Sequence, residues 1–172
     1  MRADLFRPVV PLGLLLASMV AASTAPAADW TPFHNDRFGF SVDVPAGFTS
    51  APPPENGDGG TFTSPDGRAT ILAYGHLFVD VEGLAQDEHD QERMSAHDGL
   101  DVTYRQVSSR ATTFSGLRGD IVIYQHAIAT CKGTASAIIH AEYPMSDKAR
   151  LDLIVAHMVR TLRGSNACWS PG

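Results

Sequence analysis

The chain has 172 residues, with 13 Lys+Arg against 19 Asp+Glu for a formal charge of −6, and 44 % apolar residues against 19 % charged. This is globular composition, neither disordered nor collagen-like, and the length suits one domain with a real core. The acidic balance argues against nucleic acid as the main partner, because phosphate binding draws on clustered Lys and Arg. Two Cys are too few for a zinc finger or ribbon.

Residues 1–27 read as a secretory signal peptide. Arg2 and Arg7 form a positive start, Leu12 to Ala22 is an apolar run, and Ala25-Pro26-Ala27 supplies small residues for cleavage after Ala27. A transmembrane anchor is the competing reading; it needs ~20 apolar residues, and Pro8, Pro11 and Gly13 interrupt this stretch. With no Cys near the cleavage point, a lipoprotein anchor is excluded. Removing Arg2, Arg7 and Asp4 takes 13 basic and 19 acidic side chains to 11 and 18, formally −7. The expectation is a periplasmic or secreted single domain, 28–172, in an oxidising compartment, with no stable membrane insertion after cleavage. Its core spans about 30–163, and 164–172 form a C-terminal tail.

Phe38, Phe40, Val42 and Val44 alternate with Gly39, Ser41 and Asp43, the period of a half-buried strand ending at Pro45. Residues 50–60 are loop by composition, with Pro52-Pro53-Pro54 and Asn56-Gly57-Asp58-Gly59-Gly60. Ser64-Pro65-Asp66-Gly67 turns a hairpin between Thr61–Thr63 and Ala69–Gly75. Leu84–Ala96 reads as a polar surface helix with a thin apolar stripe (Val81, Leu84, Met94), and its Asp87–Arg93 run as a solvated face. Strands follow at Val102–Val107, Ala111–Phe114, Ile121–Ile128 and Ala135–Tyr143, the third rich enough in β-branched residues to be central. Ser146 sits where an N-cap belongs. Leu151, Ile154, Val155, Met158, Val159 and Leu162 then form one face of an amphipathic helix, with Gly164 as its stop. Runs of antiparallel strands with helices to cover them give an α+β class.

Cys131 precedes the last long strand and Cys168 follows the last helix. About nine strand residues at ~3.3 Å run out and about 16 helical residues at ~1.5 Å run back, so the two Cys should meet and form a disulfide.

The run Arg37-Phe38-Gly39-Phe40-Ser41-Val42 with Pro45 and Phe48, then Phe114-Ser115-Gly116, Gly119, Tyr124, Tyr143-Pro144 and the closing helix, resembles the PsbP/Mog1/DcrB-like superfamily over residues 30–163. The Glu55–Gly59 stretch is similar to that of uncharacterised exported bacterial proteins with the same opening strand. The resemblance implies a central antiparallel sheet of about six strands in an α/β/α sandwich. It also implies an accessory or binding role rather than catalysis, and it carries over no catalytic residue.

Two clusters are candidate sites. Glu55, Asn56, Asp58 and Asp66 offer hard oxygen ligands around a Gly-rich turn, although the spacing of an EF-hand loop is absent and the same residues serve turns. His76, His126 and His140 could share a zinc or copper ion if a pairing sum near 266 sets His126 opposite His140; a slip of one residue would separate them. Hydrolase and nucleotide motifs (Gly-x-Ser-x-Gly, His-Glu-x-x-His, the Walker loop) are missing, and no cofactor is expected. Arg118-Gly119-Asp120 reads as a turn. The leading expectation is a non-enzymatic exported domain that binds an envelope protein or small ligand through the 50–60 loop and the polar helix. The alternative is a small hydrolase or metal-binding protein of the envelope.

Overall fold

The computed structural model describes residues 29–79 and 81–168. The proposed signal peptide lies outside the described residues. Two sheets and two helices make up the fold. Strands β3 (Thr49–Ser50), β4 (Gly59–Thr63), β5 (Thr70–Leu77), β9 (Ala135–Pro144), β8 (Ile121–Thr130), β7 (Ala111–Arg118) and β6 (Asp101–Val107) lie side by side in that order as one antiparallel sheet. A second antiparallel sheet joins β1 (Trp30–Asn35), β2 (Phe40–Pro45) and β10 (Arg163–Gly164). Helix α1 spans Leu84–His97 and α2 spans Lys148–Thr161.

This is the expected α+β class, with one strand more in the main sheet than the six of the α/β/α expectation and a second sheet beside it. The additions are Trp30–Asn35 and two pairs of residues, β3 and β10, too short to carry a periodic signal. β10 pairs Arg163 and Gly164 with Ser41 and Phe40, so the chain just past the last helix is built into the small sheet. β7 also runs on through Ser115 to Arg118, and the turn falls at Gly119–Asp120.

Alternation of side chains divides the main sheet into two faces. One packs on the small sheet and α2. Phe40, Val42 and Val44 from β2 meet Ile71, Ala73, Ile139, Ala141 and Tyr143, with Leu151, Val155, Met158 and Leu162 closing the layer. Small residues permit the close approach: a Cβ at Gly75 would fall inside the Phe38 ring. The other face carries α1. Its apolar content is slight, a cluster of Leu84, Ala127 and Ile138 and another of Leu100, Phe114 and Ile123.

Of the α2 stripe, Leu151, Val155, Met158 and Leu162 are buried, and Ile154 and Val159 are half-buried against the same core. Ser146 is not the cap of α2. A short 3-10 turn, Met145–Asp147, precedes the helix, and the Ser146 hydroxyl instead accepts from Arg68 Nη2 at 2.8 Å. The disulfide joins Cys131 to Cys168, with Cα atoms 5.5 Å apart. No helix among the described residues is long and apolar enough to cross a membrane.

Candidate functional site

The acidic loop is a set of structural contacts. Arg37 Nη1 reaches Asp58 Oδ1 at 2.7 Å and also donates to the Asn56 carbonyl, while Asn35 Nδ2 donates to the Gly57 carbonyl at 2.9 Å. Glu55 is exposed. Asp66 sits at the other end of β4, in the turn to β5, where Ser64 and the Arg68 amide hold its carboxyl below the usual carboxylate range. The length of a five-residue strand, ~16 Å, separates it from Asp58. Glu55, Asn56, Asp58 and Asp66 therefore do not converge on one point.

The histidines divide between the faces. Paired positions on β8 and β9 sum to 265, one less than expected, so His126 lies opposite Ile139 and His140 opposite Gln125. A slip of one residue in a period of two reverses the face. His126 points to the α2 side, where its Nδ1 meets Thr113 Oγ1 at 2.8 Å and burial lowers its pKa. His76 and His140 share the α1 side. The three cannot ligate one ion, and no group of three or more His, Cys, Asp or Glu among the described residues is placed to hold a metal.

Helix α1 departs most from expectation. Asp87 and Glu88, read as part of a solvated face, are 5 % and 3 % exposed and turn toward the sheet, whereas Met94 of the apolar stripe is 53 % exposed. His76 Nε2 meets Asp87 Oδ1 at 3.1 Å, and Gln125 Nε2 donates to Glu88 Oε2 at 2.9 Å. Beyond Gln125 the contacts continue across the sheet. His140 Nδ1 meets Gln125 Oε1 at 3.0 Å, His140 Nε2 meets Glu142 Oε1 at 3.2 Å, and Arg118 Nη2 donates to Glu142 Oε2 at 3.0 Å. A continuous polar chain thus links surface Arg118 to buried Glu88.

Asp87 Oδ2 and Glu88 Oε1 are buried without a hydrogen-bond partner. Loss of hydration raises both carboxyls, Glu88 to about 7, and burial, with Glu88 and Asp87 adding to it, pushes the Tyr74 hydroxyl up to about 12. Ser136 stands opposite His76, which bonds Asp87, so the residue types of an acyl-transfer triad share one corner. Ser136 is fully buried and its hydroxyl makes no bond to the ring, so no substrate can meet it in this arrangement.

On the opposite face, α2 leaves a groove of about 430 Å³ between itself and β6–β8, lined by Tyr104, Tyr124, Tyr143, Lys148, Asp152 and Val155 among others. A bulge creates part of it. The β6–β7 register shifts between Val102 and Tyr104; the extra Thr103 brings Tyr104 opposite Ser115 on the groove side and puts Arg105 on the α1 side, where its Nε meets Glu92 Oε2 at 2.7 Å. Tyr143 donates to Asp152 Oδ1 at 2.7 Å, and Lys148 occupies the other carboxylate oxygen. Burial raises Tyr124, and burial followed by the Asp152 contact raises Tyr143 further. The hydroxyls therefore stay neutral across the physiological range. A wider cleft of about 630 Å³ at the start of α1, lined by Glu82, His89, Asp90 and Arg105 among others, lacks this aromatic floor.

No family model matches the chain, and no curated protein matches it. Solved structures do. The cyanobacterial PsbP (CyanoP) of Synechocystis superposes with a TM-score of 0.60 at 7 % identity, over 85 % of this chain and 98 % of that one. The Ran-binding protein Mog1p of Saccharomyces cerevisiae superposes with a TM-score of 0.55 at 12 % identity, over 80 % and 96 %. A mutant form of Mog1 gives 0.56 at 12 % identity, over 78 % and 95 %. The chain has the PsbP/Mog1-like fold. At these identities the likeness concerns architecture alone.

Proposed function

We propose that the chain is a non-catalytic accessory protein of the cell envelope that binds a small neutral ligand in the tyrosine groove. The observation that carries this reading is the groove's composition. Three tyrosines and Val155 give an apolar floor, while the Lys148–Asp152 pair cancels its own charge and the Tyr104 and Tyr143 hydroxyls, which donate to Gln106 and Asp152, keep oxygen lone pairs as polar handles. Ligand sites have this character, concave and mostly apolar with a few convergent polar groups. The fold's solved relatives include a protein named for binding Ran, which supports binding rather than chemistry. The disulfide and the signal-like N-terminus support export. The 50–60 loop is the weaker binding site, because Arg37 and Asn35 already engage its polar groups.

Native mass spectrometry of protein exported to a periplasm, without reductant, tests this. A start at Ala28 and a retained small molecule that is lost in Tyr104→Ala, whose side chain is half exposed and safely truncated, would support the reading. A start at Met1, or a bare chain in both proteins, would count against it.

A further inference from the structure

Helix α1 is attached in an unusual way. Of its three buried residues only Leu84 is apolar; the others are Asp87 and Glu88. Ordinary amphipathic helices bury an apolar stripe. Here two adjacent carboxyls face a sheet, each with one oxygen that has no hydrogen-bond partner. The helix is also bracketed by Gly83 and Gly99, with φ of +104° and +90°, a region open to glycine and strained for other residues.

We propose that α1 is a proton-latched cover of the sheet. It lies down while Glu88, beside Asp87, carries a proton and lifts about Gly83 and Gly99 when that proton is lost. An ionised carboxylate with an unpartnered oxygen is far costlier to keep from water than the protonated form. Lifting restores hydration to both acids and uncovers Ala127, Ile138, Phe114 and Ile123, which α1 otherwise shields.

Facing groups bear on the sign. From β5, His76 lies against Asp87 and favours its ionised form, and Tyr74 adds no charge. From β6, Arg105 pairs with Glu92 and tethers the far flank of the helix. β7 presents Thr112 and Phe114, neither titratable. From β8, Gln125 holds Glu88, with His140 and Glu142 of β9 behind it. Asp90 on α1 itself opposes ionisation of Asp87. Burial outweighs the His76 and Gln125 contacts at both acids. The latch is on the face opposite the groove and does not rest on the ligand-binding reading.

Hydrogen–deuterium exchange of the whole chain between pH 5 and 8 tests it, with α2 amides as the reference for intrinsic exchange. Protection of α1 relative to α2 should fall on the order of a hundredfold as pH rises. Glu88→Gln should flatten most of that fall. Glu92→Gln, which breaks the Arg105 tether, should lower protection by a similar factor at every pH. A constant α1-to-α2 ratio in the wild type overturns the latch, as does an undiminished fall in Glu88→Gln. If that variant does not fold, the wild-type series decides alone.

Discussion

Gln125 lies opposite His140 on neighbouring strands and donates its amide to Glu88 of α1, so one side chain joins the sheet's polar row to a buried acid on the helix above it. The oxygen of that amide, Oε1, faces His140 Nδ1. Gln125 is 3 % exposed, and both ends of its amide are engaged.

The pH dependence of global stability follows from this. The folded-state pKa of Glu88 is raised to about 7 against an ordinary 4.5, so the folded state holds the proton more tightly. Stability from this group is full below pH ~4.5 and is lost as pH rises through about 7, by roughly 3 kcal/mol in all. His126 acts in the opposite direction. Its pKa is lowered, so its stability is lost as pH falls below 6.5. Urea unfolding of the wild type and Glu88→Gln at pH 5 and 8 separates the two. The variant should be relatively more stable at pH 8 than at pH 5, and an equal difference at both would contradict the assignment.

The Cys131–Cys168 bridge encloses all of β9 and all of α2, with the two Cys 37 positions apart. In the chain-entropy model, opening such a loop costs roughly 3–4 kcal/mol. Denaturant midpoints with and without reductant check this. Unreduced protein should show no thiol that reacts with a maleimide, and modification at two sites per chain would refute the bridge.

Gly75 carries the ring of Phe38, and a side chain there would meet it directly. Gly75→Ala should therefore destabilise by about 1–3 kcal/mol through overpacking. Gly47→Ala, with open space around its Cβ and φ outside the left-handed region, should change stability by less than about 0.5 kcal/mol. Thermal melts of the two variants compare them, and equal melting temperatures would contradict the packing.

Where side-chain period and burial agree, the sequence was legible. The α2 stripe, the β2 alternation and the β8–β9 hairpin all reflect one apolar face. The one-residue error in the hairpin register came from the Cys131–Thr134 turn. Cys131 and Lys132 both adopt positive φ there, a geometry that composition does not announce. The bulge at Thr103 is similarly silent, yet it decides which side Tyr104 and Arg105 occupy. Asp87 and Glu88 were missed for a different reason. Hydropathy assigns acids to water, and only the tertiary partners His76 and Gln125 explain their inward turn. The groove has residues from β6, β7, β8, β9 and α2, so no local pattern could assemble it.

The binding reading can be tested most directly through the chain's four tyrosines. Tyr104, Tyr124 and Tyr143 line the groove, whereas Tyr74 lies on the α1 face. Ring-labelled tyrosine NMR spectra of the oxidised protein would be recorded before and after addition of a periplasmic small-molecule extract. The three groove resonances should shift together while Tyr74 stays in place. A spectrum that does not change, or one in which Tyr74 moves and the groove tyrosines do not, would contradict the groove as the binding site.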